Sequence, residues 1–168
     1  MPAQLARPRR DFLFNAIGSA FGLGLSPIAP GSFGALLGVA YAIPVMLYLP
    51  VAWRSAAMAI ALAAVAAANH WLTPWAVSYW KDEDPSHFVL DEVAGYLMVP
   101  LLLPQGSLWQ VCFWGFLLFR VFDVIKIPPA RQIDRDMHGS WGILLDDLVS
   151  GAYAALALYV YRWLGSAF

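Results

Sequence analysis

The chain has 168 residues, of which 61% are hydrophobic and 12% charged, with a formal net charge of −1. Soluble domains run near half apolar and a quarter charged, so this composition belongs to the membrane class, in a single domain over residues 1–168. The charge balance excludes a general nucleic-acid binder, and a lone cysteine, Cys112, excludes both a disulfide framework and a thiolate metal site.

Arg7, Arg9 and Arg10 lead into residues 12–25, a helical pattern too short for a hydrocarbon core of about 30 Å, which needs roughly 20 apolar residues. It reads as an interfacial or re-entrant helix. Asn15 and several small residues dilute it and no cleavage signal follows, so a signal peptide is not expected. Residues 26–32 form a Pro-, Gly- and Ser-rich turn that excludes regular helix, and such a turn can present N–H groups and hydroxyls, those of Ser26 and Ser32 included, to an anion.

Residues 33–49 predict the first span, kinked at Pro44, and the alanine-rich residues 56–72 the second. The polar segment 81–85 faces water. Residues 88–103 are the third span, with Asp91 and Glu92 near its start. After a turn at 104–107, residues 108–122 return as the fourth. Residues 125–141 hold most of the charge in the second half and read as an aqueous or interfacial loop. Residues 148–164 are the fifth span, with Asp146 and Asp147 at its N-terminal edge. The expected fold is all-α, a polytopic membrane helical bundle of about five spans preceded by the short N-terminal helix.

Alternating the spans places Arg7, Arg9, Arg10, Lys81, Arg120, Lys126, Arg131 and Arg135 on the starting side, and only Arg54 and Arg162 on the other. That asymmetry makes the starting side cytoplasmic. The same alternation carries the 26–32 turn and the acidic groups Asp91-Glu92, Asp123 and Asp146-Asp147 to one face. Carboxylates in or beside apolar helices are expensive and are found with a partner or a metal. Three such groups at one face make an oxygen-ligand site for a hard divalent cation.

Neighbours on a helix point about 100° apart, so one ligand is expected from each pair, its neighbour capping the helix or supporting the ligand. Gly95 and Gly151 follow one turn behind and would let helices approach beneath the carboxylates. The plain alternative is favourable charge at helix N-termini, about 0.3–1 kcal/mol each. Arg120, Asp123 and Lys126, spaced by three, share one helical stripe. They are either a self-neutralising anchor or a metal ligand flanked by cations that hold a phosphate. The Trp and Tyr content suits interfacial belts, and His70 and His87 carry no assigned role. Phosphate-loop and zinc-protease motifs are lacking.

Four runs in order resemble the phosphatidylglycerophosphatase A family: Gly24-Leu25-Ser26-Pro27-Ile28-Ala29-Pro30-Gly31-Ser32, Asp91-Glu92-Val93-Ala94-Gly95, Phe119-Arg120-Val121-Phe122-Asp123-Val124-Ile125-Lys126 and Gly142-Ile143-Leu144-Leu145-Asp146-Asp147-Leu148-Val149-Ser150-Gly151. The resemblance covers the chain from about residue 15 to the last span. It implies a multi-pass phosphatase of the bacterial inner membrane that hydrolyses the lipid phosphatidylglycerophosphate to phosphatidylglycerol and inorganic phosphate with Mg²⁺. The matching residues are Asp91, Glu92, Asp123, Asp146 and Asp147 as metal ligands, alongside Lys126, Arg131, Asp134 and Arg135. Departures are small: Lys126-Ile127-Pro128-Pro129 where Lys-Pro-x-Pro is common, Ser140 for Gly, Ser150 for Ala and Ser32 for Thr.

On this reading Asp123, Asp146, Asp147 and Lys126 are catalytic, and Lys126, Arg131, Arg120, Ser26 and Ser32 bind the substrate phosphate. Water attack is favoured over an aspartyl-phosphate on Asp123 or an Asp of the fifth span, because no phosphoaspartate motif is present. His138 and Asp134 are the candidates for the leaving-group acid. The alternative from another class is a small divalent-cation transporter, which the cations beside the carboxylates oppose.

Overall fold

The computed structural model describes residues 8–166; Arg7 lies outside them. Among the described residues all regular structure is helical: α1 (Pro8–Gly18), a 3-10 turn (Leu23–Leu25), α2 (Pro30–Tyr48), α3 (Val51–Trp80), α4 (Leu90–Leu102), a π-helix (Gln110–Gly115) running into α5 (Phe116–Ile125), α6 (Ala130–Asp136) and α7 (Gly139–Ser166). Three of these helices, α2, α3 and α7, are long and apolar enough to cross a membrane. α4 is not: its 13 residues rise only about 20 Å.

The boundaries differ from the sequence expectation where local chemistry overrides composition. Residues 30–32 are the first turn of α2 rather than a turn outside it, because Pro30 at the helix start has its φ preset and no N–H to leave unpaired. α3 runs well past residue 72, through Pro74, and its buried Thr73 bonds back to Asn69 O at 2.6 Å. The 125–141 segment is not all loop: it contains α6, and α7 already starts at Gly139. Asp146 and Asp147 therefore lie two turns inside a helix rather than at its edge, which removes the helix-end explanation for their charge. Residues 12–25 do not form one helix either. α1 ends at Gly18, and Ala20, Phe21 and Gly22 take positive φ of 50°, 60° and 92° to reverse the chain.

α4 is the axis of the bundle. Leu90, Asp91, Val93, Ala94, Gly95, Tyr96, Leu97, Val99 and Pro100 are all buried, with α2, α3 and α7 packed around them. A helix enclosed by protein does not face hydrocarbon, so its length answers to its neighbours rather than to bilayer thickness. At the α4–α7 crossing a Cβ on Gly151 would stand 2.0 Å from Gly95 O, and a Cβ on Gly95 would stand 2.9 Å from Asp147 Cβ. Two glycines thus bring the backbones into contact directly beneath the acidic residues. The buried Tyr96 hydroxyl of α4 donates to Val111 O of the π-helix at 3.3 Å, and Gly115 of the π-helix makes room for Val99. The outer helix is α3: 6% of its most apolar window is buried against 44% for α2 and α7, leaving Trp53, Ile60 and Trp71 turned outward.

Side-chain contacts gather the helix ends into two groups. At one end Arg54 donates to Leu49 O, Met46 O and Pro104 O, and Arg162 donates to Gln105 O at 2.8 Å, so these two cations tie off helix-end carbonyls there. At the other end α1 packs on α3 through Phe14 against Trp75, whose indole N–H donates to Asp11 at 3.0 Å. There Asn69 and His70 of α3 reach Ser140 of α7, at 3.2 and 2.7 Å. The acidic groups gather at this second end.

Candidate active site

A cavity of about 410 Å³ opens at that end, walled by the start of α2, the 83–88 segment, α4, α5, α6 and α7. Asp91 and Glu92 open α4 and Asp147 comes from α7. One carboxylate oxygen from each lies within 4.8 Å of the others. Both members of the 91–92 pair thus bring a carboxylate oxygen to the cluster, where one ligand from the pair was expected. The 146–147 pair does divide. Asp147 joins the cluster, while Asp146 turns to Lys126, 2.7 Å away.

Lys126 reaches this position because α5 ends there. It takes φ 49°, with its N–H on Phe122 O, and its ammonium bridges Asp146 of α7 and Asp134 of α6. Burial disfavours the ammonium, but the two carboxylates outweigh that and hold its pKa above the ordinary value. Arg120, one turn earlier than Asp123 on α5, stands 2.6 Å from Asp123 and 3.9 Å from Glu92. Its Nη1 is taken up by the ion pair with Asp123, and Nε is a buried donor with no acceptor among the described residues. On the acidic side Asp91 Oδ1, Glu92 Oε2, Asp146 Oδ1 and Asp147 Oδ2 are buried without hydrogen-bond partners. Gly31 opens the wall of α2 to Glu92: a Cβ there would stand 1.9 Å from Glu92 Oε1.

Asp91, Glu92, Asp123, Asp146, Asp147, Arg120 and Lys126 thus line one cavity, having come from chain positions far apart. Asp134 and His138 line its mouth. Arg131 does not line it; the residue is exposed on α6, and Arg135 is engaged with Asp136 at 2.7 Å. Ser26 and Ser32 are not lining residues either. Ser26 donates to Ile28 O at 2.9 Å, and it is Ala29, Pro30 and Gly31 that form this part of the wall. Sequence reasoning missed Glu83 and Asp84, which line the rim. The signal was present, because the alternation of helices already sends 81–85 to the same face as the carboxylates.

A helical membrane bundle that concentrates carboxylates and two cations in one polar cavity has the features of an enzyme acting on phosphate esters, and the class is that of the lipid phosphatases. The family model described as "PgpA: Phosphatidylglycerophosphatase A" matches residues 16–162. Phosphatidylglycerophosphatase A of Escherichia coli is 34% identical over 83% of this chain and 77% of its own length. Phosphatidylglycerophosphatase A of Haemophilus influenzae is 29% identical over 85% of each chain. A Bacteroides thetaiotaomicron protein named "Putative phosphatidylinositol-3-phosphatase" is 35% identical over 92% of this chain and 97% of its own length. No solved structure matches. The chain belongs to the phosphatidylglycerophosphatase A family and is a membrane hydrolase of phospholipid metabolism.

Proposed function

We propose that the enzyme hydrolyses phosphatidylglycerophosphate to phosphatidylglycerol and inorganic phosphate, dependent on Mg²⁺, at the cytoplasmic face of a bacterial inner membrane that it crosses about five times. The observation that carries this reading is the set of buried, unpartnered carboxylate oxygens on Asp91, Glu92 and Asp147 facing the donors of Arg120 and Lys126. Buried ionised oxygens without partners are costly, and an all-oxygen donor set suits a hard cation. Asp91, Glu92 and Asp147 would hold Mg²⁺, with Asp123 and Asp146 beside them, and the ion would neutralise phosphate charge and acidify a bound water.

The chain's own groups do the rest. Arg120 offers Nε, a buried donor with no acceptor among the described residues, to a non-bridging phosphate oxygen, while its Nη1 is held by Asp123. Two N–H groups of Lys126 are committed to Asp134 and Asp146, which leaves one to point at the phosphate. Both cations oppose the charge that builds up on the transferring phosphoryl group. Asp123 and Asp146 are each tied to a cation, which makes them poor nucleophiles and supports attack by water. The site opens at a helix end, so the phosphate of a membrane lipid reaches it while the acyl chains remain in the bilayer. This geometry also disfavours a cation transporter, whose ligands would lie along a path through the bundle.

The test is phosphate release from phosphatidylglycerophosphate by the purified chain in detergent, with Mg²⁺ and with the ion chelated. Release only with Mg²⁺ is expected; no release under either condition would remove the assignment. The Bacteroides relative's name supports a second reading, a 3-phosphoinositide substrate. Faster release from phosphatidylinositol 3-phosphate in the same assay would favour it.

A further inference from the structure

An alcohol leaving group departs from phosphorus as an alkoxide unless it is given a proton, so a phosphomonoesterase of this kind needs a general acid. Four titratable side chains line the mouth of the cavity outside the carboxylates assigned to the metal: Glu83, Asp84, Asp134 and His138. Asp134 is taken up in the ion pair with Lys126 and is not free to serve the leaving oxygen. Asp84 forms no ion pair among the described residues. Its backbone N–H donates to Asp82 Oδ1 at 3.3 Å, which fixes the turn that carries it to the rim.

We propose that Asp84 is the general acid that protonates the leaving oxygen. The inference rests on the phosphatase reading of the site. The water oxygen bonds to phosphorus, and the bond from phosphorus to the glycerol oxygen breaks with its electron pair on that oxygen. The oxygen takes the Asp84 proton and leaves as the alcohol. The proton lost by the attacking water returns through solvent at the rim to the Asp84 carboxylate, which restores the starting state. Asp84 is suited to this because the group is not a metal ligand, is not held by a cation, and meets both solvent and the cavity.

Its electrostatic surroundings point the same way. Desolvation at the rim raises its pKa, the Lys126 charge opposes this, and Asp134, Asp82 and Asp123 raise it further. A raised pKa enlarges the protonated fraction near neutral pH. Activity that needs this proton falls as pH climbs through the Asp84 pKa, so Asp84 sets the alkaline limb of the kcat profile.

The experiment compares wild type, Asp84→Asn and Asp84→Glu, full-length in detergent with Mg²⁺, on phosphatidylglycerophosphate and on 4-nitrophenyl phosphate, whose leaving group needs no proton. For Asp84→Asn, kcat on the lipid should fall at least about 100-fold and the alkaline limb should vanish, while the aryl ester slows less than about threefold. Asp84→Glu should recover part of the lipid rate, and both variants should keep the wild-type Mg²⁺ affinity and melting temperature. Equal loss on both esters, an alkaline limb that persists in Asp84→Asn, or an unchanged lipid rate would each overturn the proposal. A wild-type enzyme that releases phosphate from neither ester overturns the phosphatase reading itself, a result distinct from those three.

Discussion

Lys126 shows how one side chain can serve both stability and chemistry. Its ammonium neutralises Asp146, whose side chain is 5% exposed, and removing it would leave a buried carboxylate beside further acids. Lys126→Met should therefore destabilise the protein by about 2–3 kcal/mol, a value discounted for the lysine's partial exposure. Thermal melting in detergent without divalent cations should show a fall of about 5–10 °C. Adding Asp146→Asn to that variant removes the stranded charge, so the double variant should melt higher than the single one; if it does not, the pair is not what stabilises this end of the bundle. At this scale the sequence was informative but incomplete. The Arg120–Asp123–Lys126 stripe was legible from its spacing of three. Which carboxylate each cation takes was not, because Asp134 and Asp146 arrive from other helices. The 26–32 turn reaches the site through other residues than its serines: Ser26 and Ser32 do not line the cavity, and the missing side chain of Gly31 shapes its wall.

Among the elements, the α4–α7 crossing is what brings distant acids together. Gly151 lies against Gly95 O, so a methyl group at position 151 must push the two helices apart or bend one. Such overpacking costs about 1–3 kcal/mol. Displacing Asp147 from Asp91 and Glu92 by about 1 Å would also cost up to ~100-fold in rate. Gly151→Ala should therefore lower both melting temperature and phosphate release. Gly165→Ala, where nothing lies within 4 Å of the added carbon, should leave both at wild-type values. A Gly151→Ala protein with full activity would mean that the crossing does not set the site. The small residues behind the acidic pairs were readable in the sequence, and so was the existence of helices in these regions. The start of α7 was not, since charged and polar residues before residue 148 look like loop until their partners are known. Ser140 bonds His70, Lys126 takes Asp146, and the helix is extended into a segment whose composition alone argues against it. The π-helix has no local signature at all; it rests on Tyr96 and Val99 of a neighbouring helix.

At the scale of the whole molecule, charge and helix direction agree. Arg54 and Arg162 close the end opposite the cavity, while Arg120, Lys126, Arg131 and Arg135 lie at or near the cavity end. By the positive-inside rule this asymmetry supports the cytoplasmic placement proposed for the cavity. Among the proposed crossings, α4 is too short alone for about 30 Å of hydrocarbon yet is enclosed by its neighbours. Its flanks provide the measurement. In a Cys112→Ala background, Lys81→Cys and Gln132→Cys mark the cavity end and Gln105→Cys the opposite end, all three at exposed positions. A membrane-impermeant maleimide applied to intact spheroplasts should label Gln105→Cys alone, and inverted vesicles should reverse the pattern. Labelling of Lys81→Cys and Gln132→Cys from one side with Gln105→Cys protected from both would mean that α4 and the helix after it form a hairpin that dips into the bilayer and returns. Lys81→Cys and Gln132→Cys on the outer face would instead invert the molecule, and the site would then meet its lipid in the other leaflet. The enclosure of α4 by α2, α3 and α7 favours the first pattern, because a buried axis helix must run in the same layer as the three long apolar helices around it.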